Sequence, residues 1–483
     1  MIFDSLAFFV FFPIVVVAFF ATPPRFRWVV LLAASCTFYA WWKPQYLILL
    51  FISTGVGFLV GRLLEREERP RRRLALLGAS LFVNLGMLVF FKYLHFFFPF
   101  TRGFFDLALP IGISFYTFQT IGYAIDVYRR QYEAETHVGR FALFVSFFPH
   151  LVAGPIMRGR QLLPQFKETQ RWDFDRAVSG LGRILWGLFK KVVIADRAAY
   201  FVDAVFRDVD HFQGTTLVVA TYIFAFQLYC DFSGYSDIAL GTARVLGFEL
   251  MENFDRPFAA PTIMQFWRRW HISFSTWFLD YVYVPLGLSM GRLRTPALAG
   301  KKGRAIRTAA CVAVIFLLSG LWHGARGTYL LWGAFMGVMM LGSLGVATIW
   351  KRSGTKVSAP FGVLGRTVGV IVTFNLVCAS LVLFRSDDVA HMRSFIAQLG
   401  VDYHVSTFWE LTHIGPAPAA ANTIDLGILV VSIAAMEAVQ WLLANRPASQ
   451  IPTNVRWLAW SSLCAWVLLA AVQTHSPFIY FAF

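Results

Sequence analysis

Apolar stretches long enough, or nearly long enough, to cross a bilayer recur along the whole 483-residue chain, and this repetition restricts the fold more than any motif does. A run such as Phe8 to Phe20 is apolar on every side, whereas a strand of a transmembrane barrel would alternate apolar and polar residues. With 57% hydrophobic and only 14% charged residues, the expected fold class is an all-α polytopic membrane protein. Asp4 rather than a basic segment precedes the first run, and no small-residue cleavage site follows it. The run therefore reads as a retained helix and not a signal peptide.

The net charge of +16 arises from Lys and Arg residues in short loops between apolar segments. This pattern fits positive-inside topology and anionic membrane lipids as partners, and does not call for nucleic acid. The first four spans are expected at about 3–20, 26–42, 46–61 and 74–98. Six arginines between Arg62 and Arg73 place that loop in the cytoplasm and the N-terminus outside. Later spans are expected near 111–127, 141–152, 178–195, 216–229, 265–286, 309–323, 329–349, 361–384, 423–443 and 457–472. Several are too short to cross alone and suggest re-entrant or broken helices, which need protein or a water-filled cavity around their backbone. Gly154, Pro155, Gly234, Gly241, Pro257, Pro261 and Pro285 punctuate the central third and point the same way. All 483 residues read as one integral membrane domain. Residues 387–422 form a polar loop carrying a short amphipathic helix over 388–399, and residues 423–483 supply C-terminal helices.

Ionisable groups at membrane depth are the candidate functional residues, because burying them is costly. His323, in Leu321-Trp322-His323-Gly324, ends an apolar run. If its helix starts near Thr308, it lies about 23 Å from the basic stretch Arg292 to Arg307. A neutral imidazole there can act as a general base, or simply pack against a carbonyl. His271 lies in Gln265-Phe-Trp-Arg-Arg-Trp-His271. On a regular helix it shares a face with Trp267, four residues earlier. Trp267, Arg268, Arg269 and Trp270 fit interfacial anchoring equally well. Asp231 and Asp237, in Gln227-Leu-Tyr-Cys-Asp-Phe-Ser-Gly-Tyr-Ser-Asp237, can serve acid–base chemistry, but structural pairing with Arg244, Arg256 or Arg268 is favoured. The five cysteines lie singly among apolar residues and read as packing. His391, His404 and His413 are spaced too irregularly to argue for zinc, so no metal site is expected. HExxH, GxSxG, P-loop and dinucleotide-binding signatures are absent from the sequence.

Several long motifs resemble, in order, those of the membrane-bound O-acyltransferase superfamily. They are Phe147-Phe-Pro-His-Leu-Val-Ala-Gly154-Pro155-Ile156, the Gln227 to Asp237 segment, Asn253-Phe-Asp-Arg-Pro-Phe258, Gln265-Phe-Trp-Arg-Arg-Trp-His-Ile-Ser-Phe274 and Ser319-Gly-Leu-Trp-His-Gly324. The similarity runs from Pro110 through Ser386, with Pro477-Phe-Ile-Tyr-Phe481 fitting as well, and is greatest to the bacterial branch containing the alginate O-acetylation membrane subunit.

The resemblance implies a helical bundle with short, tilted and re-entrant helices around a central funnel or tunnel, its core about 110–386. It implies that His323 is catalytic and His271 a second catalytic group. Trp322, Asp231, Ser233, Tyr235, Arg268 and Trp267 are the substrate-binding candidates. No bound cofactor is expected. The implied acyl donor is cytoplasmic acetyl-CoA, the final acceptor an exported polysaccharide such as alginate, and the partner a periplasmic SGNH-type acetyltransferase. Within the family, D-alanyl transfer from a carrier protein and peptidoglycan acetylation are the alternatives. Outside it, a proton-coupled transporter or flippase would require inverted repeats, and the sequence shows none.

Overall fold

The computed structural model describes residues 1–101, 109–292, 300–352, 362–401, 403, 423–445, 450–472 and 478–479. Among these the regular structure is helical, and seven helices are long and apolar enough to cross a membrane. The protein is an all-α, multi-pass membrane protein. The chain forms two compact units, residues 1–187 with 235–252 and residues 188–234 with 253–483.

The first unit contains α1 (Leu6–Ala21), α2 (Arg27–Ala40), α3 (Leu47–Arg66), α4 (Pro70–Phe97), α5 (Ile113–Tyr128), α6 (Val138–Ser146), the single turns α7 (Phe148–Leu151) and α8 (Gly159–Leu162), and α9 (Phe174–Leu188). The side chain of Ser5 starts α1 by accepting from the backbone N–H of Phe8. Phe8, Phe12, Val15 and Phe19 then recur at helical spacing and face inward, while Leu6, Val10, Ile14 and Val17 are exposed. A helix apolar all round suits a surface that meets lipid. Between α3, α4 and α5, Ser53 donates to Asn84 at 2.6 Å and lies 3.1 Å from the Thr120 hydroxyl, an interhelical polar link of the kind membrane bundles use. Arg73, in the first turn of α4, is buried and donates to the carbonyls of Glu67, Val127 and Tyr128. It thereby satisfies the last carbonyls of α5. The expected span over 141–152 is broken after Ser146, where the chain turns at Phe147 before Pro149.

The second unit begins with a π-helical turn, Phe189–Ala195, that runs on into α10 (Asp196–Arg207). It continues with α11 (Gly214–Leu246), α12 (Ile263–Trp267), α13 (Ile272–Phe278), α14 (Val284–Arg292), α15 (Gly300–His323), α16 (Gly327–Arg352), α17 (Gly362–Arg385), α18 (Val389–Leu399), α19 (Thr423–Asn445) and α20 (Thr453–Ala470). Residues 235–246 of α11 belong to the first unit.

Three expectations change. The helix expected over 216–229 is 33 residues long and passes unbroken through Gly234 and Gly241. A Cβ on Gly241 would sit 2.5 Å from the Gly180 carbonyl oxygen, so this glycine serves close helix contact rather than a kink. The His323 helix begins at Gly300 rather than near Thr308, and part of the basic stretch, 293–299, lies outside the described residues. The amphipathic helix after 387 is present as α18, capped by Asp388, whose side chain accepts from the N–H of His391. His404 and His413 lie outside the described residues.

Candidate active site

His323 is the last residue of α15 and is 5% exposed. Its place is set by glycines. A Cβ on Gly320 would lie 2.2 Å from the Tyr329 carbonyl oxygen, and one on Gly333 would lie 2.3 Å from that of Phe316. The α15 and α16 backbones therefore touch where those residues cross, as small residues allow. Gly324 likewise leaves room for the Tyr329 ring, 2.4 Å from where a Cβ would be. This close crossing brings Trp332 of α16 edge-on to the imidazole, with ring centroids 5.1 Å apart. Phe384 of α17 stands against the same imidazole at 5.1 Å. The turn after His323 is tied to the end of α17, since Thr328 donates to the Ser386 carbonyl at 3.2 Å and Arg326 pairs with Asp387.

His271 is not on the helix that carries Trp267. Helix α12 ends at Trp267, the chain turns, and His271 adopts a left-handed conformation, φ +43°, before α13 starts. The expected i, i+4 face shared by Trp267 and His271 therefore does not form. Asn253 holds the turn in place. Its side-chain oxygen accepts from the Ser273 hydroxyl at 2.7 Å and N–H at 3.2 Å and lies 3.4 Å from His271 Nδ1, while its carbonyl accepts from the Ile272 N–H at 2.9 Å. Asn253 thus caps the start of α13, a role its motif carries but that sequence reasoning left unassigned. His271 is 1% exposed.

The two histidines meet through aromatic rings. Phe274 lies 4.9 Å from His271, 4.5 Å from Trp322 and 6.2 Å from His323, and Phe232 meets His271 edge-on at 4.6 Å. Beside them is a narrow cavity of about 20 Å³, room for a water-sized group, whose walls include His323, Trp267, Trp270, Trp332, Ser380 and Phe384. An imidazole facing such a cavity can exchange a proton with a group held there.

The remaining candidates separate. Trp322 lies inside the aromatic cluster, and Trp267 lines the cavity. Arg268 is exposed and is not part of the cavity wall. Asp231 is ion-paired to Lys191 at 2.8 Å, which also pairs with Asp196 at 2.8 Å, and it accepts the Ile479 N–H at 2.8 Å. Ser233 accepts from Lys190 at 3.3 Å. Asp237 belongs to the first unit and pairs with Arg183 at 2.9 Å, while Tyr235 packs there on Phe3 at 4.7 Å. Structural pairing of both aspartates therefore holds, but the cations are Lys191 and Arg183. Arg244 and Arg256 instead pair with Glu249 and Asp255 close by in sequence. The sequence reading missed Trp332, Phe384 and Asn253. The first two sat in apolar spans with nothing to mark them.

Comparison with known proteins decides the family. Residues 135–384, more than half of the chain, match the model of the membrane-bound O-acyltransferase family. The chain belongs to that family. It is accordingly an acyltransferase, and both histidines, with the rings joining them, fall within the matched region. Over the full length of both proteins it is 33% identical to a protein of Azotobacter vinelandii named "Probable alginate O-acetylase AlgI". It is 31% identical to the peptidoglycan O-acetyltransferase of Helicobacter pylori, over 77% of this chain and 73% of that one. The teichoic acid D-alanyltransferase of Streptococcus thermophilus is 27% identical over 57% of this chain and 68% of its own length. The family membership and the full-length similarity bear out the expected branch.

Proposed function

We propose that this acyltransferase takes an acetyl group from cytoplasmic acetyl-CoA and passes it across a bacterial inner membrane for O-acetylation of an exported polysaccharide such as alginate. The supporting observation is the full-length similarity to the Azotobacter protein, together with a buried imidazole, His323, on the wall of an aromatic cavity. In the reaction, His323 takes the proton of an acceptor hydroxyl as its oxygen bonds to the thioester carbonyl carbon. The carbon–sulfur bond then breaks, and the proton goes to the departing thiolate. His271 acts as a positioning residue, packed against Phe274 and Trp322, which adjoin His323. The N-terminus faces the periplasm, where an SGNH-type acetyltransferase receives the acetyl group and completes transfer to sugar. The peptidoglycan reading is the alternative, favoured by the Helicobacter similarity over three quarters of the chain.

The test is reconstitution in liposomes with radiolabelled acetyl-CoA and an oligosaccharide, with and without a periplasmic partner. Consumption of label that is lost in His323→Ala supports the reading. Full transfer by His323→Ala would remove the catalytic assignment. Label left unused while a carrier-linked acyl group is consumed would remove the donor assignment.

A further inference from the structure

Two tryptophans stand out among the residues that line the cavity. Trp332 is 5% exposed, and the Nε1 atoms of both Trp332 and Trp267 are buried without an acceptor among the described residues. A buried tryptophan N–H ordinarily finds a partner, and leaving one unmet costs it the hydrogen bond it would make to water. Two such donors in one aromatic cluster are therefore not neutral packing. The rings lie 6.1 Å apart, centroid to centroid, both line the cavity that His323 lines, and Trp332 meets the imidazole at 5.1 Å.

We infer that the indole N–H groups of Trp332 and Trp267 are hydrogen-bond donors to the carbonyl oxygen of the acyl group, stabilising the oxyanion that forms as the acceptor attacks. This inference rests on the acetyl-transfer reading above. As the hydroxyl oxygen bonds to the carbonyl carbon, the π pair of the C=O bond moves onto its oxygen and the hydroxyl proton moves to His323. When the pair returns, the carbon–sulfur bond breaks and the thiolate leaves with that proton. Fixed donors in a dry site stabilise the intermediate charge more than the neutral ground state, because no water must reorganise around it. Their burial without an acceptor among the described residues keeps them available for the substrate oxygen. A phenylalanine at either position would pack similarly and donate nothing. The crossing of α15 and α16 at Gly320 and Gly333 gives the arrangement its rigidity, since Trp332 immediately precedes one of those glycines.

The experiment uses the full-length protein in liposomes with acetyl-CoA, comparing Trp332→Phe, Trp267→Phe and a protein carrying 3-benzothienylalanine at position 332. That residue keeps the bicyclic shape and replaces the N–H by sulfur. Loss of one oxyanion donor lowers kcat by about 10²-fold or more. The expected result is that kcat falls by this order in Trp332→Phe and in the benzothienyl protein alike, with KM for acetyl-CoA changed less than about twofold. A second readout is the infrared carbonyl band of a bound ¹³C-labelled ketone analogue of acetyl-CoA, shifted down in the wild type and restored toward its solution position in both proteins. Wild-type activity matched by the benzothienyl protein, with an unmoved carbonyl band, would overturn the inference and leave acetyl transfer standing. A wild type that consumes no acetyl-CoA would remove the donor reading and this inference with it.

Discussion

The imidazole of His271 and the indole of Trp322 lie 6.0 Å apart, with the Phe274 ring within 5 Å of each. Trp322 in turn lies 4.8 Å from His323. Two motifs about fifty residues apart in sequence thus become one aromatic assembly, with His271 and His323 at its two ends. Asn253 fixes one end of the assembly, and the Gly320–Gly333 crossing fixes the other.

His271 gives the first prediction. At φ +43° a non-glycine residue carries backbone strain of about 1–3 kcal/mol, so a substitution changes backbone and side chain together unless the two are separated. His271→Gly removes the imidazole and relieves the strain, while His271→Ala removes the imidazole and retains it. Both are expected to lose acetyl transfer by 10²-fold or more, with His271→Gly melting at or above the temperature of His271→Ala. Activity of His271→Gly near wild type, measured as label transferred per minute, would reduce this residue to a backbone role.

The α15–α16 crossing gives the second. An alanine at Gly333 must widen its 2.3 Å approach to the Phe316 carbonyl oxygen to at least 3.0 Å, at a cost of roughly 1–3 kcal/mol, and it moves Trp332 relative to His323. Gly342→Ala, in the same helix and with open space around its Cβ position, is the control, and is expected to be neutral or stabilising by up to about 1 kcal/mol. Thermal melts and initial rates should both drop for Gly333→Ala and hold for Gly342→Ala. Equal behaviour of the two would show that the crossing tolerates a side chain.

What the sequence carried legibly was whatever hydropathy and motif order encode: the long spans, the helix ending at His323, and the amphipathic helix after Asp388. Helix α10 escaped because Asp196, Arg197, Asp203 and Arg207 interrupt its apolar pattern, yet three of these charges are matched in space, Asp196 by Lys191 close by. Arg197 pairs with Asp425 and Asp203 with Arg385, more than 180 residues away. The break before His271 escaped because it is held by Asn253, through hydrogen bonds that span 18 to 20 residues. Local periodicity cannot report such partners. Trp332 escaped for the opposite reason, since an indole in an apolar span looks like any packing residue until its N–H is found without an acceptor among the described residues.

A third prediction concerns acid. Glu135 lies in the connection between α5 and α6. Burial raises its proton affinity, but the His137 backbone N–H at 2.9 Å and the cations of Arg140 and Lys167, each at 3.3 Å, outweigh that and hold it below the usual carboxylate range. A carboxylate whose folded value lies below its unfolded value of about 4.3 contributes stability above that pH, and the contribution is lost as pH falls through the folded value. Wild type should therefore melt higher than Glu135→Gln at pH 7, with the gap closing as the pH falls below about 4. A gap that stays constant from pH 7 to pH 3 would show that charge on Glu135 contributes nothing.

The Lys191 cluster provides the last test, because it separates two roles for Asp231. Lys191 stands 2.8 Å from both Asp196 and Asp231, and all three side chains are almost wholly buried. Removing one member of a buried ion cluster leaves charge uncompensated and costs about 3–5 kcal/mol. Lys191→Met takes the cation from two carboxylates at once and should lower the melting temperature sharply, with activity lost through unfolding. Asp231→Asn is milder: the amide oxygen can still accept from the Ile479 N–H, and Lys191 keeps Asp196. If Asp231 is structural, Asp231→Asn should lose stability and retain its rate per folded molecule at a temperature well below its melt. If the carboxylate itself handles protons or substrate, the variant should be nearly as stable as wild type and slower by 10²-fold or more at that same temperature. The ion pairs and the Ile479 contact occupy both carboxylate oxygens, so the expected outcome is the first, and a stable but inactive Asp231→Asn would move this residue into the reaction.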